Sequence, residues 1–332
     1  MVSEDDPIAR LLRLAGPREA AAQTRTGRVR SEVWAQWRAE VRTVRRKRML
    51  LRATVSAGAA AAVVVLVARG PWNPGRTFHG ADGPVATLLR AAGSFHTTGG
   101  RPLVIGASLT AGSELQTDAG GRAALALSGG PSVRLDSNTR VRLLAGPALQ
   151  LDRGALYIDS GSGGTRRAAV EIRTEMGLVR DIGTQFEVRL EGDELRLSVR
   201  EGLATLVRAG QTFAAPSGTR LLVRAGGAIE TRAVPGQGPD WDWVLAIAPA
   251  FDLEGRTLGE YLDWVSGETG WRVEFADPSI ARDAPTIVLH GSIAGLRPDE
   301  TPVAVLPTCG LRHRLTDGAL TIERQAGAAG PS

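Results

Sequence analysis

The sequence predicts a mainly β protein. It reads as a short helical stub at the N-terminus, one membrane-crossing helix, a large all-β body built as a solenoid- or sandwich-like stack of short strands, and a small α+β domain at the C-terminus. Three observations carry this. The 332 residues include 41 glycines and few aromatics, and the glycines punctuate short runs rich in Val and Leu, which is the texture of strands and turns. An uncharged apolar run, residues 53–68, follows directly on the cations Arg45, Arg46, Lys47 and Arg48. After about residue 250 the two-residue alternation gives way to helical spacing. The segments so defined are a stub (1–48), a transmembrane helix (49–68), a linker (69–84), the β body (85–232), a second linker (233–250) and the α+β domain (251–325).

The stub is where the positive charge lies. Residues 1–52 hold thirteen Lys plus Arg against six Asp plus Glu, a formal +7, so a whole-chain charge of +5 leaves the remainder at −2. Such a segment suits nucleic acid, an acidic protein or anionic lipid. "DDPIARLLRLAG" places Ile8, Leu11, Leu12 and Leu14 on one side of a short helix that Gly16 and Pro17 break. "GRVRSEVWAQWRAEVRTV" sets Val29, Val33, Trp37, Val41 and Val44 three or four residues apart, and Trp34 and Ala35 widen the stripe. A stub of this length cannot bury a core alone. The stripe Val33, Trp34, Trp37 and Val41 therefore needs a cytoplasmic protein or the lipid interface to cover it. No helix-turn-helix spacing is visible, so direct contact with nucleic acid is not expected.

"ATVSAGAAAAVVVLVA" carries no charge, and Met49 to Arg52 extend it if Arg52 snorkels to the interface. Twenty helical residues rise about 30 Å, the thickness of a hydrocarbon core. "RGPWNPG" ends the helix. The charge bias places the stub in the cytoplasm and the rest outside. A cleaved signal peptide is the competing reading. Against it stands the long basic region ahead of the apolar run, in which Lys47 and Arg48 follow the pair Arg45-Arg46.

In the β body, "SVRLDSNTRVRLL" alternates Val133 and Leu135, turns at Asp136 to Asn138, and resumes at Val141 and Leu143. "PALQLDRGALYID" reads the same way, with Leu149 and Leu151, a turn at Asp152 to Gly154, then Leu156 and Ile158. "VEIRTEMGLVRDIGTQFEVRL" continues with a turn at Gly177. Gly183 is then expected to bend or bulge the strand so that Phe186, Val188 and Leu190 share one face. Gly192-Asp193 and Glu201-Gly202 supply the next turns. Gly183, Thr184, Phe186, Glu201 and Gly202 are most simply read as folding residues.

The stretch "VEIRTEMGLVRDIGTQFEVRLEGDELRLSVREGLATLVRAGQTF" closely resembles the signature of the FecR family of anti-sigma regulators. Val170, Thr174, Gly177, Gly183, Thr184, Phe186, Val188, Val199, Glu201, Gly202, Gly210 and Gln211 fall where that pattern wants them. The resemblance implies a single-pass inner-membrane signal transducer whose stub regulates an extracytoplasmic-function sigma factor, with Val33, Trp34, Trp37 and Val41 as the contact. It also implies periplasmic outer domains, no cofactor, and a signal from the signalling domain of an outer-membrane TonB-dependent transporter. Whether the stub restrains or activates the sigma factor is not written in these residues.

Beyond "VPGQGPDWDW", "RTLGEYLDWVSGETGWRVEF" sets Leu258, Tyr261, Leu262 and Val265 on one side of a helix followed by a strand. "TIVLHGSIAGLRPDETPVAVLPTCGLRHRLTDGALTIER" is expected to run strand, short helix, strand, strand, with Thr301 capping the helix and Pro307 cutting it to about one and a half turns. This part resembles the small N-terminal domain of secretins and TonB-dependent receptors. Chemistry is hard to find. His79, His96, His290 and His313 lack metal-ligand spacing, and Cys309 is the sole cysteine, which excludes an intrachain disulfide. "GSGGTRR" lacks the Lys-Ser/Thr of a phosphate loop. An enzyme is not expected. The other function class open to the sequence is a membrane-anchored envelope protein that binds glycan or assembles with a secretin-like complex, without sigma control.

Overall fold

A computed structural model describes residues 83–100, 102–161, 169–181, 183–224 and 226–325. The chain divides into two compact units, residues 1–75 and 76–332, and every described residue belongs to the second. The expected stub, with Val33, Trp34, Trp37 and Val41, and the expected span 49–68 lie outside the described residues. Among the described residues no helix is long and apolar enough to cross a membrane.

The β body is mainly antiparallel. Its strands are β1 (Ala86–Ala92), β2 (Phe95–Thr97), β3 (Ser108–Leu109), β4 (Glu114–Thr117), β5 (Arg122–Leu127), β6 (Ser132–Leu135), β7 (Arg140–Leu143) and β8 (Ala148–Asp159). They continue with β9 (Glu171–Thr174), β10 (Gly177–Asp181), β11 (Gln185–Glu191), β12 (Glu194–Glu201), β13 (Leu203–Arg208), β14 (Gln211–Pro216), β15 (Thr219–Arg224) and β16 (Ile229–Ala233). One layer runs β3-β1-β5-β6-β8-β11-β12-β15-β16. The other runs β2-β4-β7-β8-β9-β10-β13-β14, with β8 and β9 parallel. Alternate residues of both layers meet in one core, Leu125, Val133, Leu156, Val188 and Leu197 from the first and Leu115, Val141, Leu149, Ile172 and Leu206 from the second. Each strand has one apolar side, and neither layer could shed that side from water without the other.

Strand β8 belongs to both layers, which corrects the expected turn at Asp152 to Gly154. The chain does not reverse there. Its register against β7 shifts at Arg140, and Gly154 takes φ +87° against the Thr139 side chain and Cα. The first half of β8 therefore pairs in one layer and the second half in the other. A residue with a side chain at 154 would collide with Thr139, so glycine is what allows the strand to pass through.

Gly183 also acts differently from the expected bend within a strand. β10 ends at Asp181 in the second layer and β11 begins at Gln185 in the first. Gly183 and Thr184 stand between the two layers.

The C-terminal module holds helices α1 (Asp242–Ala246), α2 (Leu258–Thr269), α3 (Pro278–Asp283) and α4 (Thr301–Val305). Its sheet, β17 (Arg272–Phe275), β18 (Leu311–Thr316) and β19 (Ala319–Arg324), is ordered β17-β19-β18. Helix α2 starts at a full capping box, in which Thr257 accepts from the Glu260 N–H and the Glu260 carboxylate accepts from the Thr257 N–H. It buries Leu258, Tyr261, Leu262 and Val265 against Ile280, Leu306, Leu320 and Ile322. Cys309 packs at the edge of this core.

Helix α4 stops after five residues and continues as a 3-10 turn over Leu306–Cys309, as expected from the missing N–H and ring of Pro307. Two expectations fail here. "TIVLH" forms no strand beyond an isolated bridge between Thr257 and Val288, because the segment is spent closing over the start of α2. Nor does Thr301 cap α4. Its hydroxyl is buried, donates to the Pro298 carbonyl at 2.9 Å and takes the Tyr261 hydroxyl at 2.8 Å. Tyr261 would otherwise bury an unsatisfied hydroxyl.

Candidate functional site

Five of the family-signature residues, Gly183, Thr184, Phe186, Glu201 and Gly202, meet at one place. Two of the chain's crossings between layers, the one before β11 and the one between β12 and β13, pack on each other. Gly183 has φ +68° and Gly202 φ +86°, backbone that side-chain-bearing residues rarely take. A Cβ on Gly202 would lie 2.6 Å from the Gly183 carbonyl oxygen and 3.1 Å from Thr184 Cα. Thr184 ties the crossings together. Its hydroxyl donates to the Leu203 carbonyl at 2.7 Å, and its N–H donates to Ser160 Oγ at 2.7 Å. Phe186 is fully buried opposite Val199. Glu201 stands opposite Gln185, where the β11–β12 register slips by one residue. These residues build a crossover.

Beside them Asp181 is buried and accepts from the Val170 N–H at 2.6 Å. Burial lifts its carboxyl above the ordinary range, against the opposing hydrogen bonds of Ser160, Val170 and Thr184.

The outward face of the first layer holds what sequence reasoning missed. Register aligns Arg134, Tyr157, Glu187, Ser198 and Arg220 in one row across β6, β8, β11, β12 and β15. Alternating polar residues on strands ordinarily face water, yet this row is roofed by residues 234–270. Trp241 and Trp243 are buried there with Ala155, Tyr157, Val234 and Val244. Arg134, 1 % exposed, grips the Glu268 carboxylate with one nitrogen, at 2.9 and 2.6 Å to its two oxygens, and the Val244 carbonyl at 3.0 Å. Arg200 donates to the Gly236 carbonyl at 2.6 Å and the Glu268 carbonyl at 2.7 Å. Gln185 donates to the Gly267 carbonyl at 3.1 Å, and Arg90 to the Ala248 carbonyl at 2.9 Å. Trp243 donates its indole N–H to Glu187 at 3.1 Å.

The electrostatics are coherent. Arg200 and Gln185 meet the last carbonyls of α2, the negative end of its dipole. Glu268 sits at that same end, where an anion is locally unfavourable, and Arg134 offsets the conflict. The guanidinium of Arg134 lies 5.2 Å from the Tyr157 ring centroid and that of Arg200 lies 5.3 Å from Trp241, so aromatic faces replace part of their lost hydration. Burial pushes the Tyr157 phenol up to about 12, so it keeps its proton. Gly270 closes α2 with φ +74°, and a Cβ there would strike Arg200 and the Gly236 carbonyl. The arrangement has the chemistry of a clamp. Among the described residues no group of three or more His, Cys, Asp and Glu stands close enough to hold a metal ion.

Residues 113–205, from the turn before β4 into β13, match the family model described as "FecR protein". The chain carries a FecR domain. The matched span contains both crossings and, from the clamp, Arg134, Tyr157, Gln185, Glu187 and Arg200. Glu268 and the tryptophans lie beyond it. No curated protein matches the sequence. Two crystal structures of a candidate anti-sigma factor from Parabacteroides distasonis align with it at 14 % identity, covering 64 % of this chain and 98 % of theirs, with TM-scores of 0.35 and 0.34.

Proposed function

We propose that this protein is a single-pass inner-membrane signal transducer that regulates an extracytoplasmic-function sigma factor. The observation that carries the reading is the FecR domain at residues 113–205, whose Gly183 and Gly202 make one built crossover. In this reading residues 1–48 lie in the cytoplasm and hold the sigma factor through Val33, Trp34, Trp37 and Val41. Residues 49–68 cross the membrane, and the FecR domain and C-terminal module stand in the periplasm. The module, read as a short secretin- and TonB-receptor-like domain, receives the signal from an outer-membrane TonB-dependent transporter. The protein acts by binding, with no catalysed reaction and no cofactor. The clamp suits this role, because a module fixed to the FecR domain by buried ion pairing passes on a load that a free linker would absorb.

The test is a pull-down from native cytoplasm with residues 1–48, as wild type and as the Trp34→Ala, Trp37→Ala variant. Recovery of a sigma factor by the wild type and its loss in the variant is the expected outcome. An intact, soluble stub that recovers none would reduce the family relationship to the outer fold.

A further inference from the structure

The loop between β2 and β3 turns large apolar side chains to solvent. Val104 is 73 % exposed and Ile105 67 %. The backbone beneath them is fastened. Leu103 and Ala107 pack against the β-body core, His96 bridges Pro102, and the Ala107 N–H donates to the Val104 carbonyl at 3.0 Å. Strand β1 adds a third residue. Its register against β5 shifts between Leu88 and Arg90, and the bulge turns Leu89 outward while Leu88 stays buried. Loop and bulge adjoin, since the Gly106 N–H donates to the Leu88 carbonyl at 2.8 Å. No Asp or Glu occurs from residue 83 to 113, where the ionisable side chains are Arg90, His96 and Arg101.

Scattered exposed aliphatics are ordinary on protein surfaces. Here they are grouped, held on a pinned backbone, and drawn from a stretch free of carboxylates. We propose that Leu89, Val104 and Ile105 form a docking tip that seats on the phospholipid surface to which the chain is anchored. The proposal rests on the reading of residues 49–68 as a span. The occupant follows from where the described chain begins. Strand β1 enters at Ala86, beside the tip, and residues 69–84 reach at most about 55 Å from the expected span. A bilayer is then an apolar phase held permanently within reach, so a small aliphatic contact suffices where a free ligand would need a larger one.

The tip is tested in the full chain carrying Cys309→Ser, reconstituted into phosphatidylethanolamine–phosphatidylglycerol vesicles. An environment-sensitive fluorophore is placed at Val104→Cys, or at Asp193→Cys in the β11–β12 turn, since β11 lies four strands across the first layer from β1. The expected result is co-flotation with the vesicles, with blue-shifted emission and quenching by nitroxide-labelled lipid at position 104 and aqueous emission at 193. Adding Ile105→Asp should return the probe at 104 toward the aqueous spectrum. Co-flotation with indistinguishable spectra at the two positions overturns the tip and leaves the anchor standing. Failure to float overturns both.

Discussion

Gly202 and Gly210 show how much a single Cβ can mean. Both have positive φ, +86° and +77°, but only Gly202 faces another backbone, whereas a Cβ on Gly210 would meet open space. Gly210→Ala should therefore cost about 1 kcal/mol, the left-handed penalty alone. Gly202→Ala should cost about 3 kcal/mol, because displacement of Gly183 and Thr184 adds to that penalty. Denaturant unfolding of the full chain in detergent measures both, and equal losses would mean the crossings do not press on each other. Asp181 gives a pH dependence. Its folded carboxyl is raised by burial, so between the ordinary carboxylate value and its own the folded state binds more proton than the unfolded chain. Stability from this group is greatest at low pH and falls as pH rises through that window. Asp181→Asn keeps an acceptor for the Val170 N–H and removes the titration, so the variant should gain on the wild type as pH rises from 4 to 7.

Among elements, helix α2 answers to local and distant demands at its two ends. Its start is local, and Thr257→Ala should cost about 1 kcal/mol by removing the capping box, seen as a lowered unfolding midpoint. Its end is not. Glu268 opposes the helix dipole, and only Arg134, distant in sequence, makes that choice intelligible. This contrast marks what the sequence could and could not reveal. Short strands, turn glycines, the apolar side of α2 and the truncation at Pro307 all rest on local spacing, and each was legible. The passage of β8 between layers was not, because "LDRG" is also a fair turn and only the Thr139 contact makes it a kink. The clamp was invisible for a different reason. Arg134 and Arg200 alternate with apolar residues as solvent-facing side chains do, and nothing local says that a later segment will cover them. Two clues were present: tryptophans at 241 and 243 in a stretch read as linker, and an acid at the end of a helix.

At the scale of the whole molecule, the described residues form two large cores joined through a seam where buried ion pairing meets a smaller aromatic cluster. Removing one partner of a buried ion pair is costly, about 3–5 kcal/mol, whereas replacing both by apolar residues is often tolerated. Arg134→Met should therefore destabilise the full chain strongly, and Arg134→Met with Glu268→Met should recover most of the loss. Limited proteolysis within 233–250 offers a second reading, with cleavage fast in the single variant and slow again in the double. If the single and double variants are cut alike, Arg134 and Glu268 are not coupled across the seam. The clamp also bears on how such a protein can change over generations. At residues 236, 244, 248 and 267 the β body holds carbonyl oxygens, which every amino acid supplies. These contacts thus set no side chain at those positions, and where Val244 and Ala248 are concerned it is burial that restricts the residue, so the attachment persists through any change that keeps the packing. Inheritance of the join depends on far fewer letters than its contacts suggest, with Glu268 and Gly270 foremost among them.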